Sequence, residues 1–294
     1  NEDYEPYAIK RDQEIKDFLA SKNINFYQFK DQIIFQKDEI VKADGKPYTV
    51  YTPYSKQWLL KFNDQNLEFF ASEKKLDNLL NIEKQKITLE HIGFKKTNYL
   101  FEPPKINLEI LEKYHETRNL PTKETSQMSV HLRFGTISTR KLVKLASELN
   151  DNTYLKELIW REFFMQILWH FPKVIHHSFK EKYDNIAWEN NEELFQKWCE
   201  GKTGYPIVDA GMRELNETGL MHNRVRMVCA SFLTKHLLTD WRIGEAYFAE
   251  KLMDYDLSAN NGNWQWSAGS GCDAAPYFRV FNPEEQQKKF DPNF

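Results

Sequence analysis

The chain has 294 residues, of which 41% are hydrophobic and 28% charged. That is an ordinary globular balance, enough for one large domain or two smaller ones. A net charge of −3 excludes a polybasic protein whose bulk charge announces nucleic acid, so any DNA contact has to come from a local arginine cluster.

No apolar run approaches the roughly 20 residues of a membrane span, and no signal-peptide pattern stands at the start. Cys199, Cys229 and Cys272 form no CxxC pair, which argues against a disulfide framework or a metal site and suits a reducing cytoplasm. The aromatic content of 15%, with 8 Trp, 14 Tyr and 21 Phe, is what departs from the average. It points to stacking surfaces beyond ordinary core needs.

Along the chain, residues 1 to 58 offer an amphipathic helix over Ile9 to Leu19, then extended pieces at INFYQF and DQIIFQ and a turn at ADGKPYTVYTP. This reads as the tail of an α/β unit. Residues 59 to 105 are rich in Lys, Asn and Glu and read as a surface linker. From 106 to 294 the apolar spacing turns helical in INLEILEKYHETR, RKLVKLASEL, LKELIWREFFMQILWHF and NRVRMVCASFLTKHLL. The expectation is a mainly α protein with loops at LPTKETSQMS, EGKTGYP, TDWRIGE and the glycine-rich stretch near the end. The chain starts without Met and stops at QQKKFDPNF, which suggests a fragment of a longer protein.

Four stretches carry chemistry-bearing residues. In TSQMS the hydroxyls of Thr125, Ser126 and Ser129 precede a helix start, suited to holding a phosphate or to simple N-capping. In ELIWREFF, Glu157 shares a helix face with Trp160 and Arg161, as a surface ion pair or as a carboxylate and ring aimed into a cavity. In MHNRVRM, Asn223 and Met227 align while Arg224 and Arg226 point to different sides.

DYDLSANNGNW, too rich in Gly, Ser and Asn for a simple helix, brings Asp254 and Asp256 as helix cap, arginine partner or, least well supported, metal ligand. It runs into NWQWSAGSG, where indoles beside small residues suggest room left for something flat, since a core would fill the space with branched chains.

The order of TSQMS, ELIWREF, EGKTGYPIVDAGMRELNETGLMHNRVRM, TDWRIGE and DYDLSANNGNWQWSAGSGCDAAPYFRVFNP closely resembles the flavin-binding domain of the DNA photolyases and cryptochromes. Within that family it is most similar to the class I cyclobutane pyrimidine dimer photolyases. The resemblance implies an all-helical FAD-binding domain preceded by the remnant of a Rossmann-like antenna domain, whose second chromophore cannot be inferred.

It also implies that Tyr114, Thr125, Ser126, Gln127, Met128 and Ser129 hold the FAD phosphates and ribityl chain. Asp254, Tyr255 and Asp256 would contact the folded cofactor, Arg226 would pair with Asp254, and Asn260 would face flavin N5. Trp160 and Trp266 would wall a flipped-out dimer, with Met227 packing on it and Asn223 and Glu157 bonding its edges. Arg118, Arg161, Arg224, Arg279 and Gln286 match positions that contact DNA, and Trp264, Trp241 and Trp188 match an electron relay. The implied reaction is light-driven: excited reduced FAD lends one electron to the dimer and recovers it after the ring splits. The implied partner is UV-damaged DNA, met by a monomer. The main rival is a cryptochrome-type photoreceptor. A (6-4) photolyase and a cofactor-free helical DNA-binding protein are weaker rivals.

Overall fold

The computed structural model describes residues 1–65, 67, 69–79, 86–97 and 102–292. Parts of the expected 59 to 105 linker and the last two residues lie outside them. The chain order is α1 (Pro6–Ala20), α2 (Tyr51–Asn63), α3 (Leu108–Glu112), α4 (Tyr114–Thr117), α5 (Ser129–Arg133), α6 (Thr139–Ser147), α7 (Thr153–His170), α8 (Glu192–Cys199), α9 (Pro206–Thr218), α10 (Asn223–Lys235), α11 (Trp241–Lys251), α12 (Leu257–Ala268) and α13 (Pro283–Phe290). The mainly α reading stands. No described helix is long and apolar enough to cross a membrane.

Three readings of local structure are corrected. DYDLSANNGNW, expected to be irregular, leads into the regular helix α12. Asp256 caps its start, accepting from Ala259 N at 2.9 Å, and Gly269 closes it in the left-handed region at φ +87°, which costs glycine little. TDWRIGE is not a loop, because α11 begins at Trp241 once Asp240 has capped it. The linker expected from residue 59 begins inside α2, which runs on to Asn63.

The extended pieces over 24 to 36 pair with no strand. Among the described residues the only β contact is an isolated bridge between Val41 and Pro47. Instead, the N–H groups of Ile34 and Phe35 donate to the Glu162 carboxylate at 2.7 and 2.9 Å. A carboxylate on α7 thus does what a neighbouring strand would do, since buried backbone donors must be satisfied somehow.

Two cores result. One joins Ile33, Ile34, Phe35, Tyr54 and Trp58 from the N-terminal part to Ile159, Phe163 and Met165 of α7. The other joins Trp198, Val208, Met212, Val228, Leu233, Phe248 and Trp264 from α8 to α12. Helices α7 and α12 pack on each other between them, and the cavity described next opens along that contact.

Candidate functional site

α7, α10, α12 and the loop before α5 line a cavity of about 500 Å³, which shares lining residues such as Arg226, Asp254 and Asn263 with a smaller one of about 100 Å³. This is the size range of cofactor and ligand sites, roughly 300–1,000 Å³.

On one wall, Tyr114 and the run Thr125 to Ser129 line the larger cavity. Gln127 is held at φ +51°, a left-handed conformation that costs a non-glycine residue about 1–2 kcal/mol and so marks a loop shaped by its surroundings. Ser126 Oγ accepts from the Tyr154 hydroxyl at 3.2 Å, and Tyr114 meets Tyr154 edge to face at 5.2 Å.

At the junction of the two cavities, Arg226 donates to both oxygens of Asp254, at 3.1 and 2.8 Å, and through Nε to the Met221 carbonyl at 2.7 Å. The Asp254 side chain is 4% exposed and that of Arg226 28%, so neither charge is left buried and alone. The two aspartates, open between three roles in the sequence, divide two of them: Asp254 pairs with the arginine and Asp256 caps α12.

Asn260 faces the smaller cavity with its amide nitrogen donating to the Glu245 carboxylate at 2.9 Å and carbonyl at 3.1 Å. Both donors are thereby turned to one side, which leaves the side-chain oxygen as the group able to meet a donor in the cavity. Burial raises the Glu245 carboxyl above its ordinary range, opposed by the bond from Asn260.

The opposite end is aromatic. Trp160, Trp266, Asn223 and Met227 line the larger cavity beside Glu157, and the Asn223 amide sits 4.0 Å from the Met227 sulfur. Glu157 pairs with Arg118 at 2.6 Å, not with Arg161 one turn along its own helix. Burial raises the Glu157 carboxyl, and Arg118 pulls the other way.

The expected DNA-contact residues split into kinds. Arg161 lines the cavity but gives its guanidinium to Gln32, with 2.7 Å to the carbonyl and 3.2 Å to the side chain, so it ties α7 to the N-terminal segment instead of standing free as a surface cation. Arg224 reaches Asn119 at 2.5 Å and lies 4.3 Å over the Phe290 ring of α13. Arg279 lies 5.3 Å over Phe281 and 6.0 Å over Trp266, between the exposed Phe278 and Val280. Gln286, on α13, keeps a buried and unpartnered side-chain oxygen.

Of the three relay indoles, Trp264 lines the smaller cavity and its ring lies against Gly244 of α11. Trp241, three residues earlier on α11, is 1% exposed. Half-buried Trp188 is in the segment fastened to residues 238–240 by Glu189 N to Leu238 O, 3.0 Å, and Asp240 N to the Asn190 side chain, 2.8 Å. Sequence reading missed Trp198, fully buried with its ring 6.2 Å from Trp264, and also Tyr154, Glu245 and Tyr51. Tyr154 was within reach, because it precedes Glu157 by three residues on one helix face. Glu245 and Tyr51 meet the site from other elements, and no local spacing announces them.

The family model described as the FAD binding domain of DNA photolyase matches residues 154–294, and the model described as DNA photolyase matches residues 1–73. A deoxyribodipyrimidine photo-lyase of Vibrio cholerae is 39% identical over 314 residues, covering 100% of this chain and 67% of its own. Among solved structures, an archaeal photolyase from Sulfolobus tokodaii with two FAD molecules matches with TM-score 0.78 at 36% identity, over 99% of this chain and 66% of that one. A cryptochrome of Synechocystis sp. matches with TM-score 0.81 at 29% identity, over 99% and 65%. The chain therefore belongs to the DNA photolyase family. It spans about two thirds of the length of the curated relatives it matches, between 63% and 67% for the first three.

The residues present fit FAD. A hydroxyl-bearing loop suited to phosphates and a satisfied arginine-aspartate pair line the larger cavity, and an asparagine whose amide nitrogen is already taken lines the smaller.

Proposed function

We propose that the chain is the FAD-binding and DNA-binding part of a light-dependent repair enzyme that splits cyclobutane pyrimidine dimers. The observation that carries this reading is a pair of cavities that share Arg226, Asp254, Asn223 and Met227, the smaller lined also by Asn260 and the larger by Glu157, Trp160 and Trp266. Bound and fully reduced, FAD supplies one light-driven electron and takes it back. The loop from Thr125 to Ser129, with Tyr114, holds the phosphates and ribityl chain. Asp254, Tyr255 and Asp256 border the folded cofactor, and Arg226 neutralises Asp254 beside it.

A dimer inside duplex DNA is out of reach, so it is taken out of the stack. Trp160 and Trp266 wall it, Met227 packs on it, and Asn223 and Glu157 bond its polar edges. Glu157, held by Arg118 at 2.6 Å, sits where negative charge develops on a pyrimidine carbonyl, and burial raises its carboxyl above the ordinary range. Arg118, Arg224, Arg279 and Gln286 hold the DNA, and Trp188, Trp241 and Trp264 relay electrons inward from the surface. Residues up to the end of α2 at Asn63 close an antenna domain, the stretch after it is the link, and the protein works as a cytoplasmic monomer.

The test is blue light plus reductant on UV-treated oligonucleotides with the full-length protein. Dimers are cleared in light and persist in the dark, and Glu157→Ala lowers clearance per absorbed photon while FAD content stays near that of the wild type. FAD uptake with no light-dependent clearance favours a blue-light photoreceptor instead, the reading to which the cryptochrome likeness lends weight.

A further inference from the structure

Trp160 is not free on both faces. Tyr51, the first residue of α2, lies parallel to it with ring centroids 3.7 Å apart and planes within 5°. Three contacts fix this tyrosine. Its N–H donates to Asp273 at 3.0 Å, its hydroxyl donates to the Lys156 carbonyl at 2.9 Å one turn before Trp160, and Phe163 meets its ring nearly edge-on at 5.9 Å. Tyr51 is 9% exposed and does not line the cavity, whereas Trp160 does.

A cavity-wall indole can swing about its side-chain torsions unless something holds its plane, and ligand affinity improves when that ordering is done before binding. Here a ring from one helix, bonded to the backbone of another, is pressed flat against the inner face of the indole. Phe163 meets the indole nearly edge-on at 5.6 Å and Phe164 lies tilted against it at 5.5 Å, so a ligand reaches only what these three rings leave open toward the cavity.

We propose that Tyr51 is a positioning residue of the lesion pocket, setting the plane of Trp160 so that its cavity side is ready for an everted pyrimidine pair. This rests on the repair reading above. Tyr51 does not touch the substrate and acts through Trp160 alone. The N-terminal part of the chain thereby helps shape the substrate wall, through α2 as well as through the clamp at Glu162.

The experiment compares the full-length wild type with Tyr51→Phe and Tyr51→Met, measuring dissociation constants for single-stranded oligonucleotides with and without one cyclobutane dimer. Near-UV circular dichroism of each protein follows the stacked Tyr–Trp pair. Tyr51→Met, which fills the space without a plane, weakens dimer binding about tenfold and loses the dichroism. Its affinity for undamaged DNA and its flavin absorbance stay near those of the wild type, while its melting midpoint falls by a few degrees with the lost hydrogen bond and stack. Tyr51→Phe, which keeps the ring, stays within about twofold and retains the signal.

If the wild type prefers the dimer and Tyr51→Met prefers it equally after losing the dichroic signal, the inference is overturned while the repair reading survives. A wild type without preference overturns both. Should Tyr51→Met fail to fold, the phenylalanine variant decides: dimer affinity lost with the dichroism intact places the effect in the hydroxyl and refutes a role through the ring plane.

Discussion

Helices α7 and α12 line the same cavity and are built in opposite ways. Over its 18 residues α7 is apolar nearly all round, with Leu155, Leu158, Ile159, Phe163, Phe164 and Met165 buried, and its one fully enclosed carboxylate, Glu162, faces backbone donors. The sequence of α12 is LSANNGNWQWSA, with no apolar stripe, and its interior polar groups are satisfied one by one. Asn261 donates to the Val174 carbonyl at 2.9 Å, and Gln265 donates to the same oxygen at 2.9 Å. One helix is specified by what it buries and the other by caps and closeness. A helix made of small and amide residues can bring its backbone up to a neighbour and still leave one side open, which is what a cofactor wall requires.

The largest effect that would break this contrast lies in α7. Glu162 accepts from Ile34 N, from Phe35 N and, at 2.8 Å, from the Trp58 indole. Replacing it with Ala strands three buried donors at about 1–3 kcal/mol each, so Glu162→Ala should cost about 4 kcal/mol or more in urea unfolding. Glu162→Gln, which still offers one oxygen, should cost about 2 kcal/mol.

Burial pushes the Glu162 carboxyl up to about 7 against those three bonds. The folded state therefore holds a proton that the unfolded chain has released, and this group's contribution falls as pH rises from about 4.5 through 7, then levels off. The fall is at most about 1.4 kcal/mol per pH unit. The difference in stability between wild type and Glu162→Gln, measured at pH 5, 6, 7 and 8, isolates it. An advantage of the wild type that grows with pH would refute the assignment.

The next effect sharpens the same contrast from the α12 side. A Cβ at Gly262 would come within 2.1 Å of the Phe164 ring, and one at Gly244 within 2.3 Å of the Trp264 ring. Gly262→Ala gains about 1 kcal/mol of helix propensity yet overpacks a contact with no slack, a penalty of typically 1–3 kcal/mol. A net loss of up to about 2 kcal/mol is expected, with most of it restored in the double variant with Phe164→Leu. A double-mutant cycle coupling near zero would mean that the glycine is not there for Phe164.

These positions also mark where sequence was readable. The apolar spacing of α7 and α10 marks their limits within a few residues, whereas side-chain chemistry leaves Asp254 and Asp256 open between three roles and the pairing of Arg226 with Asp254 comes from the family resemblance. The stretch NNGNWQWSAGSG is half legible. Small residues beside indoles were expected to mean empty space, and Ala259, Asn263 and Ser267 do border the cavities, but Gly244 and Gly262 are small because rings press on them. Helicity in α12 was illegible because no apolar period marks it. Its signals are one capping aspartate, one left-handed glycine and amide bonds to residues some ninety positions away. The partner of Glu157 was illegible for the same reason: Arg161 is nearer in sequence, while Gln32, 129 residues away, is what claims it.

The smallest effect tests the cap itself. Asp256 accepts from Ala259 N at 2.9 Å and from Ser258 Oγ at 2.5 Å, and its other oxygen faces Arg133 at 4.0 Å, where Glu5 is the nearer partner at 2.9 Å. If Asp256 matters mainly as the cap, Asp256→Asn should be nearly silent, because the amide oxygen still accepts and Arg133 keeps Glu5. Asp256→Ala should then cost about 1 kcal/mol. If its charge matters more, the two variants will be equally destabilised. Thermal melts of both in 20 mM and 500 mM salt separate the cases, since a charge effect through half-buried Arg133 shrinks with salt and a cap does not. Equal losses that shrink together would show that α12 is begun by the ion cluster and not by its capping oxygen.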